Sequence, residues 1–513
     1  MRSFNEIAED YRFAPIRDVD GDLSGYVHLD GPNSKVSLNS EAFHHLDEGE
    51  NGWFDLEIED HRGRRLLLHN ALTQKKSMPG VLDGKRAGTY VSDIFPNTVI
   101  IGAENLRKDR TILGMSFEIE GAENFFVYNT IEWRSFYSQD EKQAVLKAIR
   151  EGAWKPPKGL RGREYVSDPD EIYVVHRPKK YLNFKIEDMS IEVWHSRSQR
   201  GLGWTGHEIK VTPIISVAFQ KPISVDDAIE RVWRIKGFFD QLALDDLQVL
   251  SLTFSKFKKG WPSADVYLSN EAQKTRERRL DLHPMHVPFS RWNERKLFQK
   301  IFSNWLSQSQ ERDFFRAAIR LSLIRLSRED DPTLITLLMA GVESLNELAG
   351  QSGLSKETIN KMACAAHQIE PSTEFDAIKG LLGGLRRTSP KQRLLQVCAK
   401  SFADTSEDAD SRFATAAVKF RNQIAHGRGL EDLDRGVASE MTRALCFLCV
   451  AYDLETSGMP AKGDDTERRN LLATSRMEWA WQGLRNKFGK QDEGSSPINS
   501  DANPPEPASP PAP

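Results

Sequence analysis

The sequence predicts an α+β multidomain protein in which a β-rich N-terminal half is followed by an all-α helical bundle. Short alternating segments separated by Gly, Asn, Asp and Pro begin near residue 20. Beyond Trp292 the hydrophobic period changes from two to about 3.6. At 513 residues the chain is also too long for one hydrophobic core.

Segments 25–29, 53–58, 65–68, 98–101 and 115–119 read as strands. Phe54, Leu56 and Ile58 alternate with Asp55, Glu57 and Glu59, turning one face inward and the other to water. A second β group follows at 172–175, 191–194 and 209–219. A helix then starts after Ser224, whose hydroxyl suits an N-cap. Strands resume at 249–254.

Helices are predicted at 292–308, 310–328, 333–350, 355–369, 374–388, 390–402, 410–426, 432–457 and 466–487. Two prolines at 284 and 288 discourage a continuous helix there. This divides the chain into a β-rich domain 1–288, with subdomains of about 1–165 and 166–288, and a helical domain 289–488. The segment 489–513 has too little apolar surface to offset ordering and reads as a disordered Pro-rich tail.

A net charge of −4 excludes a protein that coats nucleic acid, but not an enzyme that touches RNA at one small site. The four cysteines, at 364, 398, 446 and 449, give no disulfide framework, and a reducing cytoplasmic setting is expected. Cys446 and Cys449 have C-x-x-C spacing inside an apolar run without a second ligand pair, so they read as buried thiols. No segment reaches the roughly 18 apolar residues of a membrane span. No metal site or cofactor motif is expected: Gly201 to Gly206 has the letters of a dinucleotide fingerprint but leads into a strand. His44, His45, His176, His195 and His207 lack metal-ligand spacing. Basic pairs at 179–180, 258–259, 278–279 and 386–387 read as solvated faces. Trp194, Trp204 and Trp261 read as buried anchors.

An Arg followed five residues later by His should occur about once by chance in a chain of this length. It occurs three times: Arg64 and His69, Arg278 and His283, Arg421 and His426. The first pair runs through a strand, where an odd separation points the two side chains to opposite faces. The second ends against Pro284. The third lies on a helix, where at 100° per residue Phe413, Ala417, Phe420 and Ile424 form an apolar stripe. Asn422 and His426 project opposite that stripe with Lys419 nearby. Arg421 lies roughly 140° from His426.

Arg421-Asn422-Gln423-Ile424-Ala425-His426 resembles the Arg-x4-His motif, with a polar residue after the Arg, of HEPN domains, which are helical bundles widely used as RNA-cutting toxins and defence enzymes. A β-rich half ahead of such a domain resembles ApeA-type bacterial anti-phage proteins. The resemblance implies a metal-independent endoribonuclease active in abortive infection. His426 would act as general acid or base on the ribose 2′-hydroxyl, a task that suits an imidazole. Arg421 would stabilise charge on the attacked phosphate, and Asn422 would orient His426 or the substrate. Lys419 and Glu343, the latter on an earlier helix, are supporting candidates. The partners implied are an RNA substrate, a phage-derived trigger sensed by the N-terminal half, and a second copy in a homodimer or higher oligomer, with no membrane. The other reading is a non-catalytic module that binds nucleotide, RNA or a protein partner.

Overall fold

The computed structural model describes residues 1–18, 24–40, 52–77, 80–82, 85–87, 90–126, 131–135, 138–140, 143–144, 147, 171–175, 180–201, 207–258, 262–271, 295–326, 331, 333–348, 356–369, 388–401, 407–427 and 435–459. The predicted helices 374–388 and 466–487, the tail, and the prolines at 284 and 288 lie outside these. So do Arg278, His283, His44, His45, His176, Trp204, Trp261 and the basic pair at 386–387.

The chain forms two compact units. The first comprises residues 1–232, 248–284 and 290–295; the second comprises 233–247, 285–289 and 296–513. Compactness therefore divides the chain differently from a single boundary near 288, because residues 233–247 cluster with the later helices.

In the first unit the elements are α1 (Phe4–Asp10), β1 (Ala14–Asp18), β2 (Ser24–His28), β3 (Lys35–Ser40), β4 (Phe54–Asp60), β5 (Arg65–Ser77), β6 (Gly80–Leu82), β7 (Lys85–Ala87), β8 (Tyr90–Ile101), β9 (Ile112–Ile119) and α2 (Ala122–Phe125). They continue as β10 (Ile131–Ser135), β11 (Glu171–Val175), β12 (Lys180–Ile186), β13 (Met189–Gly201), β14 (His207–Ile223), the start of α3 (Val225–Ala243), β15 (Val249–Ser255) and β16 (Ala264–Leu268). Ser3 and Glu6 form a capping box on α1. Ser224 caps α3 as expected, its hydroxyl accepting the Asp227 N–H at 3.1 Å.

Twelve strands make one sheet, ordered β12-β13-β14-β9-β15-β16-β8-β3-β2-β1-β4-β5, with a further pairing of β5 on β8. That pairing closes β8, β3, β2, β1, β4 and β5 into an antiparallel barrel. Its strands alternate as the sequence implies: Ile58, Val27 and Val36 are fully buried, while Asp55 is exposed. Among the described strands, β9 pairs with β14 on one edge and β15 on the other, so strands from both sides of residue 165 share the sheet.

In the second unit the rest of α3 joins α4 (Arg295–Ser307), α5 (Ser309–Leu326), α6 (Leu334–Ser344), α7 (Lys356–Ile369), α8 (Pro390–Ser401), α9 (Glu407–His426) and α10 (Arg435–Thr456). Phe238 of α3 stacks on Phe302 at 4.6 Å and meets Trp305 edge-on at 5.6 Å. Helix α6 is apolar nearly all round because it is central, touching α5, α8, α9 and α10. Leu334, Ile335, Leu338, Met339 and Val342 are buried there. At Gly341 a Cβ would lie 3.1 Å from that of Ala318, so α6 and α5 pack closely.

A charged hub also lies inside this unit. Asp453 of α10 is fully buried and accepts from Arg316 (2.8 and 3.1 Å), Arg312 (3.0 Å), Trp305 (2.8 Å) and Gln241 (3.0 Å). Burial alone would raise its pKa, but Arg316 and Arg312 hold it below the usual carboxylate range. Cys398, Cys446 and Cys449 are buried, and burial pushes their thiols upward, away from thiolate chemistry.

Candidate functional site

Helix α9 buries Phe413, Ala414 and Ala417, half-buries Phe420 and Ile424, and ends where the sequence suggests. Gly427 adopts a left-handed conformation with φ 62°, and its N–H donates to the Ile424 carbonyl at 3.2 Å. His426 is therefore the last helical residue, and it is exposed.

An open groove of about 710 Å³ runs along the outer face of α9, lined by Thr415, Val418, Lys419, Asn422, Gln423 and His426. These positions follow the i, i+3, i+4, i+7, i+8, i+11 rhythm of one helix face. Asn422, Lys419 and His426 are thus brought together. An amide, an ammonium and an imidazole around open space can bind an anion and exchange a proton with it.

Arg421 is half-buried and is not among the lining residues described for this groove. Its Nη2 lies 3.4 Å from Oε1 of Glu343 on α6, and its Nη1 donates to Oδ1 of Asn422 at 3.1 Å. Both partners of the Arg421–Glu343 pair keep about a third of their side chains exposed, so solvent screening leaves the pair a modest stabiliser. Its larger effect is positional: the guanidinium is turned toward the flank facing α6. Arg393 of α8 braces the same corner by donating to the carbonyl oxygens of Glu343 and, at 3.5 Å, Leu345. No local pattern singles out Arg393, whereas Thr415, Val418 and Gln423 follow from extending the helical rhythm back from His426.

The first of the other Arg–His pairs comes apart. Arg64 pairs with the buried Asp60 at 2.8 Å, while His69 lies between Asp55 (2.9 Å) and Asp226 (2.8 Å). His195 is buried, with Nε2 2.9 Å from the Phe126 carbonyl oxygen. Trp194 is half-buried and donates to Ser216 at 2.9 Å. Among the described residues, no group of three or more His, Cys, Asp or Glu is arranged to hold a metal ion, and no helix is long and apolar enough to cross a membrane.

The fold and site define a two-part protein: a barrel-containing β-rich unit and a helical unit with an exposed Asn–His face. Residues 16–305 match the family described as ApeA N-terminal domain 1, which is more than half of the chain. The chain belongs to that family, and membership associates it with anti-phage defence. The matched span begins within β1, covers the rest of the β-rich unit and ends within α4, before α9. No curated protein and no solved structure matches the chain.

Proposed function

We propose that the helical unit is a metal-independent endoribonuclease of the HEPN type acting in abortive anti-phage defence, and that the β-rich unit senses a phage-derived trigger and restrains it. The observation that carries the reading is the shared groove of Lys419, Asn422 and His426 on an exposed helix face opposite the buried stripe.

In this reading His426 takes the proton of a ribose 2′-hydroxyl, whose oxygen attacks the adjacent phosphorus. The P–O5′ bond breaks, and the departing 5′ oxygen takes a proton from water. The products are a 2′,3′-cyclic phosphate and a 5′-hydroxyl. Lys419 and Asn422 hold the phosphate and the imidazole in register. Arg421 supplies donors to the developing charge. Because one copy turns Arg421 toward Glu343, the complete site forms in a homodimer in which facing α9 helices combine their motifs.

A second reading is favoured by the Arg421–Glu343 pair itself, which suits a structural arginine in a non-catalytic module that binds nucleotide, RNA or a protein partner. Expression of wild type, Arg421→Ala and His426→Ala in phage-challenged bacteria separates the two. Ribonuclease action predicts RNA loss and growth arrest with wild type alone. Retention of protection by both variants excludes it.

A further inference from the structure

Four neighbouring strands, β9, β15, β16 and β8, end at the same side of the large sheet, since Ser255 pairs with Gly114 and Asp265 with Ile101. The β8–β9 connection and residues 256–258 beyond β15 therefore emerge together, within the first unit. They are tied to each other: the Lys256 N–H donates to the Asn105 carbonyl at 3.1 Å, the Lys256 ammonium to the Glu104 carbonyl at 3.2 Å, and the Asn105 amide to the Ser263 carbonyl at 3.2 Å. Ser255 secures the hairpin base, its hydroxyl donating to the Pro262 carbonyl at 2.9 Å and accepting the Phe257 N–H at 3.1 Å. Gly114 lets Phe257 lie close, because a Cβ there would stand 2.6 Å from the Phe257 carbonyl oxygen. The other connection is closed by hydrogen bonds between Arg107 and Thr111 and between Arg110 and Arg107.

These braced loops present Arg107, Lys108, Arg110, Lys256 and Lys258 against only Glu104 and Asp109 on the same two segments, in a chain whose net charge is −4. Arg107 lies 3.7 Å from Asp109 and Arg110 lies 3.1 Å from Asp55, while Lys108 and Lys258 make no ion pair among the described residues. Between Lys256 and Lys258 stands Phe257, 47% exposed, with the Lys256 ammonium 5.7 Å from its ring centroid. A large apolar ring held in water beside several cations has a specific use. Phosphates satisfy the cations, and an unstacked base covers the ring. A duplex keeps its base faces covered, and one phenyl offers too little apolar area to hold a bilayer.

We propose that this double loop is a binding site for single-stranded nucleic acid, separate from the groove on α9 and independent of whether that groove cuts RNA. The test uses the full chain and a labelled oligothymidine of about 20 nucleotides at low salt, about 50 mM, read by fluorescence anisotropy. Oligothymidine lacks the 2′-hydroxyl, so binding is not confused with cleavage. The double variant Lys256→Glu/Lys258→Glu should weaken binding at least tenfold and flatten the log K against log salt slope by about 0.7 for each phosphate no longer neutralised. Phe257→Ala should weaken binding about tenfold with the slope unchanged. Should the double variant unfold, Phe257→Ala and Lys258→Glu, both at exposed positions, carry the test. Failure of wild type to bind, or variants binding within twofold of it, overturns the proposal. So does variant-sensitive binding to phosphatidylserine vesicles without oligonucleotide binding, which assigns the loops to an anionic membrane surface.

Discussion

Arg421 and His426 lie on one helix, five residues apart, yet they meet different surroundings: a carboxylate of α6 for the first, an open groove for the second. If the groove is the reaction centre, His426→Ala should lower single-turnover RNA cleavage by about 10²- to 10⁴-fold, the range for loss of a general acid or base. Glu343→Gln should preserve the fold, because the pair it removes is partly solvated, and should lower cleavage by loosening Arg421. Unchanged cleavage together with an unchanged melting curve would remove Glu343 from the site. The Asn–His face was legible in the sequence because helical periodicity fixes which residues share a side. The pairing of Arg421 with Glu343 depends on how α9 meets α6, and the braces from Arg393 depend on α8, so spacing alone could not reveal them.

Among the elements, α10 and α3 show where reading by pattern stops. Seven predicted helices fall within about six residues of the observed ends, as amphipathic rhythm and caps allow. Burial of charge is what the pattern does not show: Asp453 of α10 is buried between Arg312 and Arg316, and Lys236 of α3 is buried between Asp240 and Asp246 at 2.7 Å each. Lys236 and Asp240 share a helix face at i and i+4, but Asp453 and its two arginines are distant in sequence, and no periodicity encodes their meeting. Asp453→Ala should destabilise the helical unit by about 3–5 kcal/mol, because Arg316 is left buried without its carboxylate while Arg312 keeps only Glu347. Urea unfolding followed by the helical circular-dichroism signal measures this, and a loss below about 1 kcal/mol would show the hub to be dispensable.

His69 sets a pH dependence in the β-rich unit by joining β4, through Asp55, to the first turn of α3, through Asp226; Arg110 also reaches Asp55 at 3.1 Å. Burial works to lower its pKa, but the two carboxylates hold it above the ordinary histidine value. Its contribution is therefore complete below about pH 6.5 and is lost as pH rises through the higher folded value. Asp55 is shifted the other way: burial opposes, but His69, the Asn70 N–H and Arg110 hold it low, so its contribution fails only in acid. Hydrogen exchange in residues 225–232, corrected for intrinsic rates, should accelerate as pH rises above about 6.5. His69→Asn should abolish that dependence.

For the whole molecule, membership of the ApeA family rests on residues 16–305, whereas the chemistry proposed rests on one face of α9 outside that span. The alternating pattern revealed the strands, but barrel closure through β5 and β8 joins segments whose mutual register no local signal specifies. Whether the α9 groove cuts RNA through its 2′-hydroxyl is decided by incubating purified wild type and His426→Ala with matched RNA and DNA strands and mapping the product ends. HEPN-type cleavage predicts 2′,3′-cyclic phosphate and 5′-hydroxyl ends from RNA with wild type alone, and intact DNA throughout. Equal cutting by both proteins, or cutting of DNA, would contradict it.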